Sequence, residues 1–456
     1  MNKTNIYQER RIELAKLICS KTGGGIAVVT TAPETARNRD SEFPYRHDSD
    51  FFYLTGFEEP GATLVLKIAG SISQTQLESH LFCRPKDAER EIWDGIRLGP
   101  EAAPEVLGVE YAHSNHELDS KLSELLADQE AVYVRLSESA ETDRRLRHWM
   151  KQVRGQARAG INPPSEFHDV ESLIHEMRLF KDAHEIDIMR RAATISARAH
   201  IRAMQSCKPG MREYHLEAEL LHEFRYSGAQ SVAYNSIVAS GANACILHYR
   251  ASNAELRSGE LCLIDAGCEL DGYASDITRT FPVNGKFSGP QRALYDITLA
   301  SQEAAVAATK PGNTFTQPHE AALRVLTQGL LDEKLLKLKE LGSLDNALET
   351  GAYRRFYMHR TSHWLGMDVH DVGSYREPLG TPTSSSEKPW RVLKSGMALT
   401  IEPGLYVRPA DDIDKAFWNI GIRIEDDAIV HDSGCELISR GVPVKADEIE
   451  ALMNQS

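Results

Sequence analysis

Two aspartates in the segment GELCLIDAGCELDGYASDITRTF have a spacing that could bring their carboxylates together. Asp265 ends an apolar run, and the stretch from Glu269 to Gly272 is typical of a hairpin turn. A four-residue loop centred between positions 270 and 271 would make Asp265 and Asp276 a directly opposed cross-strand pair, with Cβ atoms about 4.5–5.5 Å apart. Carboxylates this close repel each other unless one is protonated or a cation lies between them. The pair indicates either a metal site or two ordinary aspartates beside a solvated turn.

Three histidines lie in the apolar segment MHRTSHWLGMDVHDVG, at positions 359, 363 and 370. A buried imidazole needs partners for its nitrogens, so three of them in one apolar segment indicate a function. Any single one can also be an ordinary core histidine bonded to the backbone, and we expect this of one of the three. His363 and His370 can both point into one cavity if Gly366 lets the chain turn between them.

Two glutamates occupy strand-like segments in which an apolar residue would be the ordinary choice. Glu402, in GMALTIEPGLYV, ends an alternating apolar run and is followed by Pro403. Glu425, in NIGIRIEDDAIV, has Arg423 two residues before it on the same predicted strand face. Each glutamate alone is only a weak indication of function.

Together these segments supply two aspartates, two glutamates and one histidine, a set that matches what two adjacent divalent cations require. Carboxylate oxygens are the preferred ligands of hard cations, and one imidazole can complete the coordination. Four carboxylate charges also balance two ions of charge +2. The seven cysteines are scattered and form no Cys-x-x-Cys pair, so we expect neither a thiolate zinc site nor a disulfide framework.

The elements that must position these residues fall into two regions. The first region contains short strand-like runs separated by polar or helical stretches, which predict a small α/β domain; these runs cover residues 25–31, 63–68 and 131–136. The segment GQARAGINPPS concentrates turn-forming residues and ends at position 165. We therefore predict domains over residues 1–165 and 166–456.

The second region shows a duplicated order of two helices followed by hairpins. The predicted helices cover residues 171–207, 213–228, 290–309 and 319–341, and the predicted strand-rich stretches cover residues 231–280 and 397–438. Such an order fits an α+β domain in which helices cover one face of a curved antiparallel sheet. The other face is then free for a site.

Composition and charge exclude several classes of protein. The chain has 456 residues, 41% of them hydrophobic, which is enough for two or three globular domains and excludes low-complexity disorder for most of it. Its net charge of −14 argues against a nucleic-acid partner. The charged amino terminus and the lack of any apolar run of about 18–20 residues predict neither a signal peptide nor a membrane span. With the cysteine usage, this predicts a soluble protein of the reducing cytoplasm.

At these residues the chain resembles the Xaa-Pro aminopeptidases (aminopeptidase P), which belong to the pita-bread metallopeptidase superfamily together with prolidase, methionine aminopeptidase and creatinase. The resemblance covers nearly the full length and rests on NRDSEFPYRHDSDFFYLTGFEEP, IWDGIRLG, DAG, SDITRTFPVNGKF, SHWLGMDVHDVG, TIEPGLY and GIRIEDD. It implies a carboxyl-terminal pita-bread domain, built from duplicated helix-helix-hairpin units, after a smaller α/β domain. The implied activity is hydrolysis of the amino-terminal Xaa-Pro bond of peptides by a hydroxide that bridges two metal ions.

The resemblance also implies a role for each candidate residue. The implied ligands of two divalent ions, most often Mn²⁺, are Asp265, Asp276, His363, Glu402 and Glu425, of which Asp276 and Glu425 contact both ions. The implied catalytic residues are His248, His370 and Glu402, the last as proton carrier. The implied substrate-binding residues are His359, Tyr234, Arg423, Asp40 and Trp93. Asp40 and Trp93 are expected either to line the site of a neighbouring subunit in a homo-oligomer, which would be a dimer or a tetramer, or to form an ordinary domain-interface salt bridge and a packing tryptophan, respectively.

Two features depart from the family pattern, and two alternative functions stay open. Arg360 follows His359 where a glycine is common, and the loop from Tyr375 to Trp390 is longer than expected. Both lie near the expected mouth of the site, so they bear on the length and affinity of substrates.

The first alternative function is that of a prolidase, which uses the same ligands but cuts only dipeptides. The second is a metal-free protein-binding module on the same fold.

Overall fold

The computed structural model of the chain describes residues 3–137, 139–250, 253–378 and 388–455. Part of the predicted long loop before Trp390, residues 379–387, lies outside this range. The chain divides by its internal contacts into two units, Met1–Met177 and Arg178–Ser456. In the described part of the chain, no helix combines the length and the apolar character needed to cross a membrane.

A six-stranded mixed sheet forms the centre of the amino-terminal unit. Its strands, in spatial order, are Tyr111–Ser114, Gln74–Cys83, Thr63–Ser71, Gly24–Thr30, Ala131–Val134 and Glu166–Asp169. The three strand-like runs predicted from the sequence are thereby confirmed. The helices of this unit are Lys3–Thr22, Ser49–Thr55, Ala88–Asp94, Gly99–Leu107, Leu118–Leu125 and Ala140–Arg154. Apolar residues of the sheet pack with Leu122 and Trp149 in one buried core, which makes this unit the expected α/β domain.

The last strand of this sheet bears on the domain boundary. Glu166–Asp169 pairs in parallel with Ala131–Val134, with Glu166 opposite Ala131. The division of contacts after Met177 therefore lies further along the chain than residue 165, where the sequence predicts the boundary.

Helices flank the antiparallel sheets of the carboxyl-terminal unit in the predicted order. The helix predicted over 171–207 is in fact two: Glu171–Leu179, which contains the division after Met177, and Ala183–Ser206, which begins anew because Asp182 caps it in a capping box with Glu185. The helix predicted over 319–341 is Gln317–Asp332 and ends early, since Lys334 adopts a left-handed backbone conformation with φ 63°. The other helices are Glu213–Tyr226, Gly289–Ala308, Leu338–Leu341, Leu344–Glu349 and Ala446–Met453.

The first hairpin of this unit carries the two aspartates, but in a different register from the predicted one. Asp265 pairs with Thr278 and Leu270 pairs with Tyr273, so the turn has two residues rather than four. The prediction was wrong because Asp271 and Gly272 both adopt positive φ, which gives the tight turn that Asp-Gly favours. Asp276 is therefore a diagonal neighbour of Asp265 on the same face of the hairpin, not its direct partner.

The second hairpin carries the two glutamates, each at a break between two strands. Ala398–Ile401 pairs with Asp426–His431, and Gly404–Val407 pairs with Ile420–Arg423, all antiparallel. The sequence predicts that the first strand stops at Pro403, and in the structure both segments are divided between two sheets. Ile401 faces Asp426 on one side of the break and Gly404 faces Arg423 on the other. The shared register places Glu402 opposite Glu425.

Candidate metal centre

The two aspartates converge on one tyrosine hydroxyl. Asp265 ends the strand Leu261–Asp265, and Asp276 precedes the strand Thr278–Pro282. The hydroxyl of Tyr234 lies 2.6 Å from Oδ1 of Asp265 and 2.5 Å from Oδ1 of Asp276. A hydroxyl carries one proton, so it can donate to only one of these two carboxylates. Tyr234 alone therefore does not compensate both carboxylates.

Glycine at position 267 is needed for this approach. A Cβ atom there would lie 1.7 Å from the carbonyl oxygen of Ser275, on the opposite side of the hairpin. The backbones can cross this closely only because residue 267 has no side chain.

His363 points its metal-binding nitrogen at the carboxylates. Its Nδ1 donates a hydrogen bond to the carbonyl oxygen of Trp364 at 2.9 Å, so the lone pair is on Nε2. Nε2 lies 3.4 Å from Oδ2 of Asp276 and 3.8 Å from Oε1 of Glu402. The lone pair on Nε2 belongs to the neutral ring, which is the form that binds a metal ion; without an ion, the two carboxylates favour the protonated ring.

Glu425 is the most deeply buried of the candidate ligands, with 2% of its surface exposed. The hydroxyl of Thr278 donates to Oε2 of Glu425 at 2.6 Å, and the backbone N–H of Glu425 donates to the carbonyl oxygen of Thr278. These bonds connect the second hairpin to the first. They hold the carboxylate of Glu425 beside that of Asp276.

Burial of so many acidic groups has a clear electrostatic consequence. Burial raises the pKa of Asp276, and burial also raises the pKa of Glu402 to about 7. The pKa of Glu425 is well above its usual value because of burial first and the neighbouring Asp276 second. Burial acts to lower the pKa of His363, but Asp276 and Glu402 raise it to about 9. The protein alone therefore pays a high electrostatic cost to keep these groups charged and together.

The donor set fits divalent metal ions. Ligand atoms of Asp276, His363 and Glu425 all lie within 4.8 Å of one another. Asp265 and Glu402 extend this group through Tyr234 and His363, respectively. Carboxylate oxygens dominate, as hard cations require, and the positive charge would remove the repulsion described above.

A chain of hydrogen bonds leads from the metal centre to His359. Arg423 donates from Nη2 to Oδ2 of Asp265 at 2.5 Å and from Nη1 to the hydroxyl of Tyr406 at 3.0 Å. That hydroxyl lies 2.8 Å from Nε2 of His359, and Nδ1 of His359 lies 2.7 Å from the carbonyl oxygen of Arg360. Burial lowers the pKa of His359 to about 3, so the ring is neutral.

Two residues of the site, Tyr406 and Thr278, could not be identified from the sequence. An isolated tyrosine or threonine in a strand gives no signal of its partners.

The site opens into a cavity of about 610 Å³. All five candidate ligands line it, together with His248, His359, His370, Tyr234 and Arg423. The rings of His363 and His370 lie 4.1 Å apart, and burial lowers the pKa of His370. Phe315, Leu247 and Val369 give the cavity an apolar part. The structure thus brings together every predicted site residue of the carboxyl-terminal unit.

Asp40 and Trp93 belong to the amino-terminal unit. Both are exposed, Trp93 to 84%. Their predicted position in the site of a neighbouring subunit stays a prediction.

Two family models match the chain. Residues 187–432 match metallopeptidase family M24, and residues 7–133 match the aminopeptidase P amino-terminal domain. The Xaa-Pro aminopeptidase of Escherichia coli (strain K12) is 44% identical over 98% of this chain and 97% of its own length. The chain belongs to metallopeptidase family M24, and within it to the Xaa-Pro aminopeptidases that carry this amino-terminal domain.

Solved structures agree with this assignment. The aminopeptidase PepP of Pseudomonas aeruginosa is 48% identical and superposes with a TM-score of 0.92 over 99% of this chain and 98% of that one. A zinc-substituted aminopeptidase P of Escherichia coli in complex with product is 44% identical, with a TM-score of 0.92 over the same shares of the two chains. The pita-bread fold implied by the sequence is thereby confirmed, together with the smaller domain that precedes it.

Proposed function

We propose that this chain is an Xaa-Pro aminopeptidase that uses two divalent metal ions to hydrolyse the bond between the first residue of a peptide and a proline in second position. The observation that carries the proposal is the convergence of four carboxylates from two hairpins, and one imidazole from the segment between these hairpins, on the wall of one cavity. Two relatives that this chain matches over 97% of their length are Xaa-Pro aminopeptidases by name.

Asp265, Asp276, His363, Glu402 and Glu425 would hold the ions, with Asp276 and Glu425 shared between both. When bound, such ions supply positive charge that polarises a carbonyl group and makes water a nucleophile near neutral pH. The oxygen-rich ligand set favours Mn²⁺ over a thiophilic metal, and we propose Mn²⁺ as the activating ion. Arg423 holds Asp265 in position through the 2.5 Å ion pair.

His248 and His370 lie on the wall of the same cavity, where they can donate hydrogen bonds to the oxygen of the scissile carbonyl as it gains negative charge. Removal of one such donor typically lowers turnover about 10²–10³-fold. His359 and the apolar residues of the cavity form the pocket for the proline ring. Tyr234 shares the hydrogen-bonding environment of the two aspartates.

Glu402 is the proposed proton carrier. The nitrogen of a proline in a peptide bond bears no hydrogen, so it must gain a proton as it leaves. Glu402 can take a proton from the attacking water and pass it to that nitrogen. Its position after the strand Ala398–Ile401, fixed by Pro403, keeps the carboxylate within the cavity.

We also propose that the protein forms a homo-oligomer in the cytoplasm. Exposed apolar side chains cluster on and beside one short helix of the amino-terminal unit, at Ile92, Trp93 and Ile96, with 80%, 84% and 85% of their surface exposed. Such a patch favours a protein interface, and we propose that it brings Asp40 and Trp93 to the site of another subunit.

The proposed cytoplasmic location rests on the cysteines. All seven are free, which favours a reducing compartment.

A tripeptide with proline in second position separates this proposal from the alternatives. Arginyl-prolyl-proline should release free arginine when the protein is supplied with Mn²⁺, as measured by chromatography of the products. A matched peptide with alanine in second position should be cut far more slowly. A strict prolidase would leave the tripeptide intact and cut arginyl-proline instead, and a binding module would cut neither.

A further inference from the structure

Two exposed arginines are among the residues that line the cavity. Arg250, Arg360 and Trp390 line the cavity, and both Arg250 and Arg360 are exposed. Arg376 lies against Trp390, with its guanidinium carbon 3.4 Å from the centre of the indole ring. The guanidinium carbon of Arg360 lies 5.1 Å from the same centre. We refer to Arg360, Arg376 and Trp390 as the cationic rim.

The cationic rim is held in place by contacts of its own. Arg376 and Trp390 form an antiparallel backbone bridge, and Nη1 of Arg376 donates to the carbonyl oxygen of Lys388 at 2.7 Å. Both guanidinium groups interact favourably with the indole ring, which orients them at little entropic cost. Among residues 3–137, 139–250, 253–378 and 388–455, no other hydrogen bond of these guanidinium groups forms, so their remaining N–H groups can bind a ligand.

In the part of the chain that the structure describes, the acids nearest in sequence to the rim have other partners. Among the described residues, neither Arg360 nor Arg376 forms an ion pair with a carboxylate. Glu377 is buried and accepts a hydrogen bond from the backbone of Val392, and Asp371 is paired with Lys181. Arg360 lines the cavity that carries the acidic cluster, and Arg376 lies beside it on the indole ring of Trp390.

We infer that the cationic rim binds a carboxylate on the residue that follows the proline of the substrate. This inference rests on the proposed function. In an aminopeptidase the free amine and the scissile bond lie at the metal end, so the chain after proline runs toward the opening. A carboxylate there would receive charge-assisted hydrogen bonds from Arg360 and Arg376. It can be the terminal carboxylate of a tripeptide or the side chain of an acidic third residue.

The test compares matched peptides that differ by one negative charge. The first pair is a tripeptide with a free carboxyl terminus and its amide. The second pair is an amidated pentapeptide with glutamate or glutamine in third position. We expect the wild-type protein to favour the charged member of at least one pair about tenfold in kcat/KM, mainly through KM, and added salt to reduce this preference. The pair that shows it identifies the source of the carboxylate.

Variants connect the preference to the cationic rim. Arg360→Gln and Arg376→Gln should bring the ratio of the charged to the uncharged peptide close to one, while kcat for the uncharged peptide stays at the wild-type value. Arg257→Gln, at an exposed arginine outside this cavity, is the matched control and should keep the preference.

Two results would overturn the inference while leaving the proposed function intact: equal kcat/KM within both pairs, or a preference that survives both rim substitutions. Failure of the wild-type protein with Mn²⁺ to cut any of these peptides would instead reject the proposed function, and the inference with it.

Discussion

Glu425→Gln is expected to abolish peptide hydrolysis, with kcat/KM at least about 10³-fold below wild type, together with the loss of metal binding at the site. Glutamine has the shape of glutamate but no charge, and its side-chain oxygen can still accept the hydrogen bond from Thr278. The variant removes a negative charge that the ions require. Activity assays and metal analysis of the purified protein measure both effects.

The same variant should not destabilise the metal-free protein. Burial and the neighbouring Asp276 hold the pKa of Glu425 well above its usual value, so the metal-free protein already favours a neutral side chain at this position. We expect the melting temperature of the metal-free variant to equal or exceed that of the metal-free wild type, and Mn²⁺ to raise only the latter. Glu436→Gln, at a half-exposed glutamate on a neighbouring strand, is the control and should behave as wild type. Normal turnover of Glu425→Gln would be incompatible with the assigned ligand set.

Arg279→Met is expected to lower the free energy of unfolding of the carboxyl-terminal unit by about 3–5 kcal/mol. Arg279 and Asp426 are both fully buried, and Nη2 of Arg279 lies 2.8 Å from Oδ1 of Asp426. Arg279 also donates from Nη1 to the carbonyl oxygen of Glu425 at 2.6 Å. Its removal leaves a buried carboxylate without its main partner, which a urea titration followed by circular dichroism should detect.

The pH dependence of this pair has a defined sign. Burial acts to raise the pKa of Asp426, but Arg279 and Arg440 lower it below its usual value. The pair therefore contributes stability above the pKa of an unfolded aspartate, which is near 3.9. That contribution is lost as the pH falls through the lower pKa of Asp426 in the folded protein.

The control for Arg279→Met is a variant at an exposed ion pair. Arg355→Met breaks the exposed pair of Arg355 with Asp412 and should leave the urea midpoint nearly unchanged. Equal midpoints for the two variants would contradict the importance of the buried pair.

The residues of the metal centre could be predicted from the sequence because their types are unusual where they stand. Glu402 and Glu425 interrupt apolar strand segments, and acidic residues in such places need a reason. His363 stands among apolar residues with a second histidine nearby. Their convergence could be expected only through the resemblance to a known family, since local patterns do not report distances between separate hairpins.

The register of the first hairpin was predicted incorrectly, and the reason is local. Asp271 and Gly272 fit both a four-residue loop and a two-residue turn on composition alone. The tighter turn moves Asp276 to a diagonal position, yet the site survives because Gly267 lets the backbones approach. The partners Tyr406 and Thr278 could not be predicted, since their roles depend on contacts with Arg423 and Glu425 across the fold.

Removal and return of the metal tests the central claim most directly. Protein treated with a chelator and dialysed should cut no tripeptide, and titration with Mn²⁺ should restore activity as two ions bind per chain. Calorimetry and metal analysis would follow binding while a tripeptide assay follows activity. Full hydrolysis in excess chelator, or activity restored with no ion bound, would contradict the account.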